Sequence, residues 1–231
     1  MLRPRIIPCL LVHKGGLVKT QAFKDPKYVG DPINAVRIFN EKEADELMVL
    51  DIDATVNNMA PDFGLIAKLA AECRMPLCYG GGVTTAEQAA RIVDMGVEKV
   101  AISAAAIARP ALLTEMAAAV GRQSVVAVLD VQKRTGLFAK SYVVCTHNSK
   151  TVHKLDPVSL AERFQDAGAG EIVINSVDRD GLMQGYDLEL ATQFKQALKV
   201  PVTLLSQSFA QNGNAFVTAI EFSQNATVIA G

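Results

Sequence analysis

Carboxylates that end short apolar runs are the groups in this sequence best placed to move protons. Asp51 and Asp53 follow "ELMVL", Asp130 ends the run "SVVAVLD", and Asp178 and Asp180 follow "EIVINSV". Such a run of β-branched and aliphatic residues reads as a strand, and the C-terminal end of a parallel strand is where α/β folds build their sites. Two carboxylates facing one another there form an acid/base pair. The stretch "RIIPCLLVHKGGLVK", residues 5–19, is echoed by "VVAVLDVQKRTGLFAK", residues 125–140, so that Leu10-Leu11-Val12-x-Lys14 is answered by Leu129-Asp130-Val131-x-Lys133. One copy keeps an aspartate and the other carries Leu11, which can neither give nor take a proton. Asp130 alone can orient a ligand, or can simply cap a strand.

An anion site is the second chemical possibility. Gly80-Gly81-Gly82 follows "PLCY" and precedes Thr84 and Thr85, which open a helix. Bare backbone N–H groups beside a helix start hold phosphate well, although a tight turn needs glycine too. Ser103, ending "KVAIS", can add a hydroxyl to the same anion. Glu46-Leu47-Met48-Val49 resembles Glu171-Ile172-Val173-Ile174 at an offset of 125 residues, and Met75-Pro76 resembles Val200-Pro201 at the same offset. The glycines should therefore recur at 205–207, where the chain reads Leu205-Ser206-Gln207. A second cradle is expected to be damaged or absent.

These residues need a frame, and the hydrophobic pattern supplies one. Strand-like segments at Ile6 to Val12, 46–52, 75–79, 99–103, 124–131, 171–177, 200–205 and 226–230 alternate with helical segments. The helices are expected at Asp31 to Lys42, Phe63 to Ala71, Thr85 to Asp94, Pro110 to Val120, Pro157 to Ala167, Leu188 to Leu198 and Ala215 to Phe222. Continuous apolar strands joined by helical crossovers pair in parallel, and eight repeats close a (β/α)8 TIM barrel. A flavodoxin-like open sheet is the runner-up and usually needs fewer strands. The chain is expected to be a single barrel domain over 1–231, built from half-barrels at about 1–121 and 122–231. Leu11 and Asp130 lie 119 residues apart, so the second half carries six extra residues, placed in the polar stretch from Lys133 to Lys154. Only Gly231 follows the eighth strand, so the helix that should close the barrel is expected to be missing.

Composition narrows the function. A formal net charge of -1 gives no basic excess for nucleic acid or an acidic membrane surface. A small molecule or a protein is the expected partner. Cys9, Cys73, Cys78 and Cys145 form no C-x-x-C pair and read as reduced core residues. His13, His147 and His153 lack zinc-binding spacing, so neither a metal nor a cofactor is expected. No signal peptide or membrane span is legible, which points to the cytoplasm.

The segments "RIIPCL", "GDP", "DELMVLDI", "GGG", "KVAIS", "LD" and "SVDRDGLMQGYD" together resemble the cyclase subunit of imidazole glycerol phosphate synthase, a lyase of histidine biosynthesis, from Arg5 to about Pro201. The resemblance implies two strand-end aspartates as acid and base, at the places of Leu11 and Asp130, with the first-loop lysine at Lys19. It implies one phosphate clamp at Gly82 and Ser103 and a second beginning at Asp180-Gly181. It also implies a glutaminase subunit on the N-terminal face, with ammonia passing a charged ring at Arg5, Glu46, Lys99 and Glu171. By residue type alone, that ring could equally be an ion-pair layer with no traffic.

"CLLVHKGGLVKT" and "KYVGDPINA" are similar to a side branch of the family encoded with surface-polysaccharide (lipopolysaccharide) genes, whose members work with a glutaminase and a sugar amidotransferase to make acetamidino sugars. The leading expectation is therefore a synthase-like, phosphate-ligand-binding subunit of a glutamine amidotransferase complex. A genuine cyclase of histidine biosynthesis is the first alternative, and a non-catalytic structural paralogue the second.

Overall fold

The computed structural model describes residues 5–135, 140–182, 185–208 and 216–222. Its strands begin with β1 (Arg5–His13), followed by a hairpin of β2 (Gly16–Gln21) and β3 (Lys24–Gly30). Helix α1 (Pro32–Glu41) then leads through β4 (Leu47–Asp51), α2 (Phe63–Glu72), β5 (Leu77–Gly80), α3 (Ala86–Asp94) and β6 (Lys99–Ile102). Two helices, α4 (Ala104–Ala108) and α5 (Ala111–Val120), precede the long β7 (Val125–Thr135). After β8 (Lys140–Thr146) and β9 (Thr151–His153), α6 (Pro157–Ala167), β10 (Glu171–Ser176), α7 (Leu188–Ala197), β11 (Val202–Ser208) and β12 (Phe216–Phe222) follow.

Short side chains at the helix starts explain where the helices begin. Asp31, Asp62, Asp156 and Asp187 each accept a hydrogen bond from the backbone amide three residues on, and Thr85 forms a reciprocal capping box with Gln88. Pro32 and Pro157 occupy first-turn positions that need no amide hydrogen.

Pairing runs β1-β4-β5-β6-β7-β10-β11 in parallel, and β12 closes the ring by pairing with both β11 and β1. This is a (β/α)8 barrel by class, with one difference: β12 runs antiparallel to both its neighbours. A helix is expected over 215–222, and the structure has β12 at Phe216–Phe222 instead. The physical reason is legible in "FVTAIEF", whose Val, Thr, Ile and Phe favour a pleated strand and which fills an otherwise open seam between two edges. The strand expected at 226–230 lies outside the described residues. The described residues of the polar stretch from Lys133 to Lys154 extend β7 and form β8 and β9, an antiparallel excursion.

Strand parity divides the core in two. Leu10, Val12, Leu47, Val49, Val100, Ile102, Ile172 and Ile174 pack outward under the helices. Ile7, Cys9, Met48, Cys78, Ala101, Val126, Val128, Val173 and Leu205 fill the barrel interior, with Leu11 and Leu50 against them. Side chains alternate along a strand. The inward column of β1 is therefore Arg5, Ile7, Cys9, Leu11 and His13, and that of β7 ends in Asp130.

Candidate active site

At the lower end of these columns, four charges meet. Lys99 Nζ donates to Glu46 Oε2 at 2.7 Å and to Glu171 Oε2 at 2.9 Å, while Arg5 Nη1 lies 3.3 Å from Glu46 Oε2. Thr203 Oγ1 donates to Glu171 Oε1 at 2.7 Å. Glu46, Lys99 and Glu171 are buried. Burial works against the charge on Lys99, but the attraction and hydrogen bonds of Glu171 and Glu46 outweigh it and raise its pKa. Burial also raises the pKa of Glu46, opposed by Lys99 and reinforced by Glu171. Two cations and two carboxylates at the mouth of one column compensate one another.

Above the ring the interior is apolar, and its two thiols stay neutral. Burial, with a contribution from Asp180, pushes Cys9 up to about 12, and burial raises Cys78 well above the usual thiol range. Higher still, a cavity of about 600 Å3 opens at the C-terminal ends of the strands. Leu11, Asp51, Gly80, Gly81, Gly82, Ser103, Asp130, Asn175 and Asp180 all line it.

The glycines are there for space. A Cβ on Gly81 would meet Asp51 O at 2.5 Å, and one on Gly82 would meet Met59 O at 2.5 Å; both have positive φ, 125° and 72°. Beside them, Ser103 Oγ is buried without any hydrogen-bond partner among the described residues. An orphaned hydroxyl costs stability unless a ligand completes it. Ser206 and Gln207, where a second cradle would recur, run in register with Thr218 and Val217 of β12, inside a strand pair instead of a loop.

Asp130 is the cavity's acid. Burial pushes its carboxyl up to about 7, against the hydrogen bond from Asn175 Nδ2 at 3.2 Å and with the nearby Asp180 adding to the rise. It can therefore hold or release a proton near neutrality. Asp51, raised by burial, is spent locally, accepting from the amides of Asp53 at 2.9 Å and Ala54 at 3.1 Å. Asp178 accepts from the amide of Lys133 and braces the excursion. Asp180 accepts from Thr20 Oγ1 at 2.8 Å and the Phe23 amide at 3.0 Å, which ties the β2–β3 hairpin down, and burial raises its pKa. Gly181 packs onto that hairpin, where a Cβ would meet Thr20 O at 2.3 Å.

Lys19 does not line the cavity that holds Asp130. On β2 it stands opposite Lys27 of β3, and it is the neighbouring Thr20 that lines the cavity. Sequence reasoning missed Asn175, Thr20, Thr203 and the pairing of His13 with Asp53. For Asn175 the signal was available, since it stands four residues after Glu171 on the same face of one strand.

The fold is a (β/α)8 barrel with a cavity opening at its strand ends. The chain belongs to the histidine biosynthesis protein family, whose profile matches residues 5–205. It is 53% identical over 205 residues to a Vibrio vulnificus protein named provisionally as imidazole glycerol phosphate synthase subunit hisF3, covering 89% of this chain and 78% of that one. A Pseudomonas aeruginosa relative, named with the same reserve as subunit hisF2, is 49% identical over 202 residues, covering 87% and 79%. The imidazole glycerol phosphate synthase subunit HisF of Clavibacter michiganensis is 38% identical over 229 residues, covering 99% and 86%.

Proposed function

We propose that this barrel is the ammonia-accepting synthase subunit of a glutamine amidotransferase. A glutaminase subunit docks at the ring end, and ammonia passes through the neutral interior to a phosphorylated ligand held over Gly80 to Gly82 and Ser103. The observation that carries this reading is a pair of inward columns joining ring and cavity: Glu46, Met48 and Leu50 along β4 and the residue before it, and Lys99, Ala101 and Ser103 along β6 and the residue after it. Arg5 and Glu171 complete a ring that a small neutral molecule can pass and a cation cannot do cheaply.

The substrate follows in two versions. The names of the relatives favour the ring-closing reaction of imidazole glycerol phosphate synthase, and Asp130, protonatable near neutrality, suits it. Leu11, standing where that reaction needs a second carboxylate, favours instead a role alongside a sugar amidotransferase in amidinating a surface-polysaccharide sugar. The experiment is reconstitution: the barrel, a glutaminase subunit of the family and glutamine, with the cyclase's phosphoribosyl substrate present or absent. Glutamine hydrolysis stimulated by barrel plus phosphorylated ligand supports the reading; hydrolysis indifferent to the barrel refutes it.

A further inference from the structure

We propose that His13, oriented by Asp53, is a second proton-transfer group of the cavity and acts opposite Asp130 in place of the carboxylate that Leu11 lacks. The inference rests on the ammonia-using reading of this barrel and assigns it a further catalytic residue. Leu11 and His13 are two positions apart on β1 and so share one face of the strand; Leu11 lines the main cavity and His13 its rim, about 7 Å further toward the mouth.

The neighbouring strand builds the partner. β1 and β4 pair in parallel with Val12 opposite Asp51, and the Ile52 amide donates to Val12 O at 3.1 Å, which brings Asp53 beside His13. His13 Nδ1 lies 2.7 Å from Asp53 Oδ1, and the Lys14 amide donates to Asp53 Oδ2 at 2.8 Å. Both carboxylate oxygens are thus engaged. A carboxylate only accepts, so Nδ1 carries a hydrogen, and it is Nε2 of the neutral ring that has a lone pair to take a proton. The two side chains are 26% and 20% exposed, covered enough to hold one geometry and open enough to meet a ligand.

His13 and Asp53 line a rim cavity of about 620 Å3 that adjoins the main one, with Thr20, Phe23, Ile52, Val56 and Asn148 on the wall common to both. The charged groups facing this rim, besides Asp53, are Lys14, Lys24, Asp25 and Lys150. The step balances without any other reactant. As ammonia attacks a ligand carbonyl, the new C–N bond leaves nitrogen with one proton too many; His13 Nε2 takes it, and the Asp130 carboxyl gives its proton to the carbonyl oxygen. The product is a neutral carbinolamine, with imidazolium and carboxylate left behind.

The test compares the unaltered chain with His13→Ala, His13→Gln, Asp53→Asn and Leu11→Asp, using ammonium and the cyclase's phosphoribosyl substrate from pH 5 to 9. His13→Ala should lower kcat by about tenfold or more with KM for the phosphoribosyl compound little changed. It should lose one limb of the pH profile and regain part of its rate when imidazole is added to the buffer. Asp53→Asn should lower kcat less, because it misorients the ring without removing it. Unchanged urea midpoints for these variants separate chemistry from folding. Turnover that His13→Ala and His13→Gln leave intact overturns this inference alone. Absence of turnover in both the unaltered chain and Leu11→Asp overturns the cyclisation reading and the inference with it.

Discussion

At Asp130 the carboxyl that can act as an acid is one that the fold holds at a cost. Its pKa stands at about 7, above the ordinary aspartate range, so the folded state binds its proton more tightly than the unfolded chain does. Stability from this group is therefore present in full at low pH and declines as pH rises from about 4 through 7, by something on the order of 4 kcal/mol. Asp130→Asn should abolish that component, so its urea midpoint should exceed that of the unaltered chain at pH 8 and match it more closely at pH 5. A second prediction concerns Ser103. Supplying its buried hydroxyl with a charged oxygen is worth about 1.5–3 kcal/mol, so, on the proposed function, Ser103→Ala should weaken binding of the cyclase's phosphoribosyl substrate by about tenfold to a hundredfold in calorimetric titration. Equal affinity would mean that the phosphate sits elsewhere.

Among elements, the β2–β3 hairpin depends on a residue far along the chain. Asp180 accepts from Thr20 and Phe23 through its side chain and from the Ala22 amide through its carbonyl. Asp180→Ala should loosen the hairpin and raise tryptic cleavage at the exposed Lys24 and Lys27 by about tenfold, read on a gel time course. Most elements were legible beforehand because their apolar periods are unambiguous: α1 begins at Asp31-Pro32 as its cap requires, and α3 at Thr85. Residues 16–30 were not, because β3 reads "KDPKYVG" with six exposed positions in a row and no apolar face to betray it. β12 was misread as a helix because "AFVTAIEF" fits either period over so short a span, and only the open seam between β11 and β1 decides it. The candidate site was legible where strand ends carry unusual residues, as at Gly80 to Gly82, Ser103 and Asp130. It was illegible where a pair forms between strands, as with His13 and Asp53, since register decides such contacts.

At the scale of the molecule, the proposed function gives the two ends of the barrel different tasks through one interior. Ring residues at the bottom hold their charges only as a set; removing Lys99 leaves Glu46 and Glu171 buried together, which costs about 3–5 kcal/mol. Lys99→Met keeps the stem's packing and removes the charge, so this variant should still accept ammonium from solution at the cavity end. The most direct measurement is the ratio of glutamine-driven to ammonium-driven turnover of the phosphoribosyl substrate, for the complex with a glutaminase subunit, with and without Lys99→Met. The account predicts that the substitution lowers the glutamine-driven rate by about tenfold or more while the ammonium-driven rate stays within about twofold. A substitution that lowers both rates equally, or neither, would contradict passage of ammonia through the ring.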